Sequence, residues 1–314
     1  GDRKKTSQET AMIRRTHIVM AAVLAGAVIL SACSGSSPET TTSSGDTALQ
    51  VVAGENFWGN IAAQIGGDRV KVTSVISDPG ADPHEYQSNL TDAVALEQAG
   101  VVIENGAGYD DFMADLLSAH KRAGRVVLDV ADLVHLSGSN PNPHLWYDPD
   151  YVLATAKAIE TTLADQSPAD AATFARNLAT FEAGEQHVVD VIDQIKAKYA
   201  GAPIAFTERV PGYLVDAAGL TLGTPMSFSL AVEDDRDPSP ADNAAFERAI
   251  TDRTVKVLLY NGQVTDAETE HLKALAATSG LPVVAVTETM PTDAKDFQSW
   301  QAAQAGALLT ALGG

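Results

Sequence analysis

The chain has 314 residues and a mass of 32.8 kDa, room for two ordinary domains or one large one. Lys and Arg total 21 against 41 Asp and Glu, a formal charge of -20, and such a surface repels nucleic acid. Apolar residues at 45 % exclude wholesale disorder, and one cysteine, Cys33, excludes a disulfide framework, a Cys-based zinc finger and a CxxC redox site.

Residues 1–11 precede the first methionine, Met12, and are set aside from the fold. Arg14 and Arg15 form a basic start to the apolar run 18–30, which is shorter than the about 20 residues a membrane span needs. The run reads as a secretory signal ending in Leu30-Ser31-Ala32-Cys33. Small residues before that cysteine resemble a bacterial lipobox, in which the peptide is cut before the cysteine and the thiol carries lipid. The alternative is an ordinary signal peptide with an incidental cysteine. Residues 1–32 are thus expected to be a leader, and 33–48 a lipidated Cys33 with a small, polar, flexible tether.

From Leu49 onward, short β-branched runs alternate with helical patterns. Strands are expected at 49–52, 70–76, 101–104, 126–128, 204–206, 255–260 and 283–286. Helices are expected at 58–65, 91–99, 110–119, 151–163, 241–250, 267–279 and 298–312. Near-continuous apolar strands alternating with helices predict α/β units with mostly parallel sheets covered on both faces. One segment breaks the rhythm. Ser167-Pro168-Ala169-Asp170 reads as a helix start, and Phe174, Leu178, Phe181, Val188, Val191, Ile192, Ile195 and Tyr199 follow at helical spacing until Gly201 and Pro203. That helix would be roughly 48 Å long, a rigid connector (167–200) between an N-terminal lobe (49–166) and a C-terminal lobe (201–314).

With thiolates excluded, a metal site must use His, Asp and Glu. His17 falls in the leader, and His120, His135, His187 and His271 have no special company. His84 and His144 sit in Pro-rich loops beside acids, Asp82-Pro83-His84-Glu85 and Asn142-Pro143-His144 through Asp148, where proline pre-sets the backbone before each imidazole. They are paired ligands or two loop histidines of no consequence. In the C-terminal half, Phe206-Thr207-Glu208 and Val286-Thr287-Glu288 place a Thr-Glu pair just past a buried strand. Open α/β sheets bind ligands outside the carboxyl ends of their strands, so both Glu could face one crevice, or both are ordinary loop acids. Two imidazoles and two carboxylates together would suit manganese, iron(II) or zinc, but neither calcium nor copper(I). The acidic run 233–237 reads as a solvated loop, or else as a mobile loop near the cleft. Trp58 and Trp146 could wall the cleft or fill the core. No GxGxxG, P-loop, HExxH or GxSxG stands in the mature chain.

The segments SDPGADPHEYQ, NPHLWYDPDYV, FTERVPGYLVDAAGL, VKVLLYNGQ and PVVAVTETMP, in this order, resemble the metal-binding lipoproteins of bacterial zinc and manganese ABC transporters. The resemblance runs from about Leu49 to Leu312. It implies two α/β lobes joined by one long helix, with the metal between them, held by His84, His144, Glu208 and Glu288. Many such proteins carry histidine where Glu208 stands and most carry aspartate where Glu288 stands, and the His-rich loop of many zinc carriers is missing here. The implied function is capture of manganese or zinc, with iron less favoured, and delivery to an ABC permease by a monomeric lipoprotein outside the cell. Rival readings are a metal-dependent hydrolase using Glu208 or Glu288 as base, and a surface adhesion module on the same fold.

Overall fold

The computed structural model describes residues 48–78, 86–263 and 267–313. The leader, Cys33 and its tether, and His84 lie outside the described residues. β-Branched runs form the strands as expected. β1 (Leu49–Glu55), β2 (Val70–Ile76), β3 (Val101–Glu104) and β4 (Val126–Asp129) make one parallel sheet in the order β2-β1-β3-β4. β5 (Pro203–Phe206), β6 (Thr221–Leu222), β7 (Leu258–Asn261) and β8 (Val283–Val286) make the second, in the order β6-β5-β7-β8. The inner strands are buried on both faces. The edges are not: Val127 of β4 is 41 % exposed, because an edge strand has a neighbour on one side only. Two-residue β6 escaped the sequence reading because it is too short to show periodicity.

In each sheet the chain lays a second strand to one side of the first, then returns across it. The switch points therefore fall between β1 and β3 and between β5 and β7. At such points the loops leaving the carboxyl ends diverge and open a crevice.

Most helices follow their signals closely, but those at 130–133, 212–217 and 226–233 were not expected from the sequence. In chain order they are α1 (Asn56–Gly66), α2 (Leu90–Gln98), α3 (Asp111–Ala119), α4 (Val130–Leu133), α5 (Pro149–Gln166), α6 (Ala171–Tyr199), α7 (Gly212–Ala217), α8 (Met226–Glu233), α9 (Pro240–Thr251), α10 (Ala267–Thr278) and α11 (Phe297–Ala311). Asn89 and Asp92 close a capping box on α2, and Asp148 caps α5 with Pro149 in its first turn. The long helix begins three residues later than Pro168. Residues 168–170 form a single 3-10 turn, tied by the Ser167 hydroxyl to Asp170 at 2.8 Å, before the 29 residues of α6. At 1.5 Å per residue α6 is about 43 Å long.

α6 packs on α1 and α5 from the first half and on α11 from the second. One continuous apolar core contains Val51 and Ile103 of the first sheet, Phe181 and Ile192 of α6, and Ile204 and Leu259 of the second sheet. Polar ties cross the same junction. Asn56 exchanges hydrogen bonds with the backbone of Met290 at 2.8 and 2.9 Å, and Gln64 and Gln298 pair their amides at 2.9 and 3.1 Å. A shared core with paired amides resists a wide hinge motion. Among the described residues no helix is long and apolar enough to cross a membrane.

Candidate metal centre

The two Thr-Glu pairs have one construction. Each Thr fixes a strand end and each Glu projects beyond it. Thr207 Oγ1 accepts the Asn261 amide at 3.3 Å, while Thr287 Oγ1 accepts the Trp300 indole N–H at 3.0 Å and the Thr287 amide donates to Gln304 Oε1 at 2.9 Å. The Glu288 amide donates to Gln263 Oε1, which also accepts the Thr289 amide at 2.9 Å. Glu208 and Glu288 are thereby set on rigid strand ends, 3 % and 1 % exposed.

His144 reaches them from the first half. It lies between α4 and the 3-10 turn Leu145–Tyr147, and it is fully buried. Asn142 holds it. Asn142 Nδ2 donates to the Arg209 carbonyl at 2.9 Å, which fixes the amide, so Asn142 Oδ1 is the atom 2.6 Å from His144 Nδ1. A carbonyl oxygen only accepts, so Nδ1 carries a proton, which makes Nε2 the lone-pair nitrogen of the neutral ring. That lone-pair nitrogen stands 3.7 Å from Glu288 Oε2 and has no hydrogen bond among the described residues.

Around these groups the walls are aromatic. Trp146 stacks on Phe57 at 4.1 Å and turns an edge to His144 at 5.3 Å. The Tyr109 hydroxyl donates to Glu288 Oε2 at 2.9 Å. Burial, then the charges of Glu288 and Glu55, push the Tyr109 hydroxyl well above its ordinary value, so it stays a donor. Trp146 therefore both lines the site and fills the core. Trp58 does not line it: its indole donates to Asn105 Oδ1 at 3.1 Å, and Asn105 in turn donates to the Pro143 carbonyl at 2.9 Å, supporting the loop that carries His144.

At the carboxyl edge of the first sheet, Glu55, Glu104 and Asp110 form an acidic cluster. Burial and the nearby Asp110 hold Glu55 well above the carboxylate range, and burial pushes Glu104 up to about 7 and Asp110 up to about 6. Asp110 accepts the amides of Asn105 and Gly106 at 2.7 and 2.8 Å, so the negative charge belongs there and Glu55 keeps its proton. Among the described residues no group of three or more His, Cys, Asp and Glu side chains stands at metal-holding spacing.

Part of the acidic run departs from the solvated loop expected of it. Residues 234–237 are exposed, but Glu233 closes α8 and forms a two-point pair with Arg209 at 2.7 and 2.8 Å. Arg209 follows Glu208 directly and also donates to the Asn140 carbonyl at 3.1 Å. Glu233 thus anchors the guanidinium, and the bonds of Arg209 with Asn140 and Asn142 tie the Glu208 loop to the loop that carries His144. Asn261 Nδ2 donates to Glu208 Oε2 at 3.2 Å and to Glu288 Oε1 at 2.7 Å, and Glu288 faces His144 at 3.7 Å, so these three sequence-selected residues are neighbours without standing at metal-holding spacing, while His84 lies outside the described residues. Sequence reasoning missed Asn142, Asn261 and Tyr109. Asn142 opens the Asn-Pro-His string and was readable as an Asx-type partner two residues from His144. The other two offer no local signal. Replacing Asn142 with Ala should free the imidazole and weaken metal binding by about 10–100-fold with the fold intact, measured by competition against a chromophoric chelator.

Residues 51–311 match the family ZnuA, described as zinc-uptake complex component A, periplasmic. The chain belongs to the ZnuA family. The manganese ABC transporter substrate-binding lipoprotein ScaA of Streptococcus gordonii is 22 % identical over 290 residues, which is 86 % of this chain and 89 % of that protein. The manganese-binding lipoprotein MntA of Bacillus subtilis is 29 % identical over 176 residues, covering 54 % and 56 %. Two solved structures share the fold at 18 % identity. The Mn-bound periplasmic metal binding protein of Candidatus Liberibacter asiaticus superposes with a TM-score of 0.68 over 83 % of this chain and 98 % of that one. The periplasmic zinc binding protein TroA of Treponema pallidum does so at 0.70 over 84 % and 99 %. Both lipoproteins are named as metal carriers, and ScaA as the substrate-binding part of an ABC transporter.

Proposed function

We propose that this ZnuA family member captures zinc or manganese at His84, His144, Glu208 and Glu288 and hands it to an ABC permease. It works as a monomer outside the membrane, tethered by lipid on Cys33. The observation that carries this reading is His144. Its Nε2 is buried and aimed across the junction at a carboxylate from the other half, 3.7 Å away. A buried imidazole lone pair facing a carboxylate is chemistry for a cation. Two nitrogens and two carboxylates suit zinc, manganese or iron, with iron the least favoured of the three here. Four protein ligands complete a tetrahedral shell and leave no open position for a reacting water, which favours carriage over hydrolysis.

Elemental analysis of protein isolated without added metal, followed by zinc–manganese competition, tests the proposal. One equivalent per chain is expected. A chain that binds neither of these metals, nor iron, would sink it.

A further inference from the structure

Tyr147 closes the 3-10 turn that follows His144. Its amide donates to the His144 carbonyl at 3.2 Å, so the phenol and the imidazole belong to one rigid turn. The side chain is buried, with ring centroids of Trp146 and Trp300 at 6.1 and 6.3 Å. A phenylalanine would fill that space equally well. The hydroxyl does what a phenylalanine cannot. It crosses to the other half of the chain, where it stands 2.8 Å from the Thr287 carbonyl and 2.8 Å from Gln304 Oε1. Burial pushes this hydroxyl above its ordinary value, so it stays a donor.

Thr287 is the residue before Glu288, and every polar group it carries is held. Its amide donates to Gln304 Oε1 at 2.9 Å, its hydroxyl oxygen accepts the Trp300 indole N–H at 3.0 Å, and its carbonyl accepts the Tyr147 hydroxyl. Gln304 and Trp300 both belong to α11, which packs on α6. The strand end that launches Glu288 is thus clamped from two directions, by α11 and by the turn that follows His144. None of these bonds uses a carboxylate oxygen of Glu288. Those oxygens accept from Tyr109 and Asn261, and a cation entering the site has to exchange such bonds. The backbone clamp can persist while the side chains exchange.

We propose that Tyr147 is a positioning residue, whose hydroxyl fixes the His144 turn against the Glu288 strand end and thereby prolongs retention of the captured cation. This rests on the metal-capture reading above. With the clamp closed, the imidazole and the carboxylate face each other again after every side-chain excursion, and a partly released ion is recaptured. With the hydroxyl gone, the two backbones separate during the excursion and the ion escapes. Release should therefore change far more than capture.

The test compares the full chain with its Tyr147→Phe and Gln64→Leu variants. Tyr147→Phe removes one oxygen and keeps the ring. Gln64→Leu breaks a polar tie between the same halves without touching Thr287 or the His144 turn, and controls for general loosening. Release of zinc and of manganese is followed with excess chromophoric chelator, and amide exchange is measured without metal. Tyr147→Phe should release metal about tenfold faster, with a capture rate within about twofold of wild type. In the metal-free protein it should also speed exchange of the amides of residues 147 and 287 together. Gln64→Leu should leave the release rate and both amides at wild-type values. Equal acceleration by the two variants overturns the proposal, as does a wild-type release rate in Tyr147→Phe from a chain that binds metal. A wild-type chain that binds neither metal instead removes the capture reading, and the retention role with it.

Discussion

Replacing Glu288 with Ala is expected to weaken metal binding by about a thousandfold, or roughly 4 kcal/mol, because it removes a fully desolvated charge from a buried ligand set. The metal-free protein should change far less. Losing the carboxylate takes an acceptor from the Tyr109 hydroxyl and from one Asn261 N–H, a cost of about 1–3 kcal/mol for each buried group. Against that, Glu208 loses a like charge that shares its Asn261 donor. The two effects oppose each other, so metal-free stability is a poor readout and the metal-induced rise in Tm is a good one. Metal at about 1,000 times its Kd stabilises the native state by about 4 kcal/mol, and the variant should show almost none of that at the same concentration. The exposed Asp235→Ala is the control. It removes the same charge from a chain of net charge -20 and should leave affinity alone. A Glu288→Ala protein within tenfold of wild-type affinity would remove Glu288 from the site.

What the sequence disclosed, and what it withheld, follows from the range of the forces involved. The strands and the helices that pack on them are local patterns of apolar residues, and most were readable to within a few residues, whereas β6 and the short helices α4, α7 and α8 were not. The Thr-Glu pairs were readable because each follows a buried strand at the edge where such sheets bind ligands. His144 stood out because proline stiffens the loop beside it. Asn261 was hidden. Asn-Gly reads as an ordinary turn, and only the strand order β5-β7-β8 places that amide between two carboxylates distant in sequence. Glu233 was hidden for the same reason, since its partner Arg209 sits 24 residues away and turns the first acid of a charged run into a half-buried pair. The apolar series of α6 was legible, yet the reading passed over Glu185, which shares its face.

That buried acid leads to the second large effect. Glu185 is 1 % exposed on the core side of α6, and its Oε2 has no hydrogen-bond partner among the described residues. Burial alone pushes its carboxyl from the ordinary 4.5 up to about 8. The native state therefore holds this proton more tightly than the unfolded chain does. The associated stability is complete below about pH 4.5 and is lost as pH rises toward about 8. At about 1.4 kcal/mol per unit, the cost is about 3 kcal/mol at pH 7 and about 5 kcal/mol above pH 8. Glu185→Met keeps the length of the side chain and removes the ionisation, so it should stabilise the protein by about those amounts. In a fold of this size that is a rise in Tm of about 6–12 °C near pH 7. Part of any gain is plain apolar burial, which does not depend on pH. The diagnostic is therefore the difference between the two proteins across pH. Glu104 and Asp110 titrate in the same direction, but they do so in both proteins and cancel in that difference. Thermal unfolding of the metal-free forms near pH 5, 7 and 9 should show the gap widening to about pH 8 and then levelling. A gap of constant size would mean that Glu185 is not held protonated by burial. The cost falls on the helix that packs against both halves of the site, so the same substitution should also slow amide exchange along α6 most at alkaline pH.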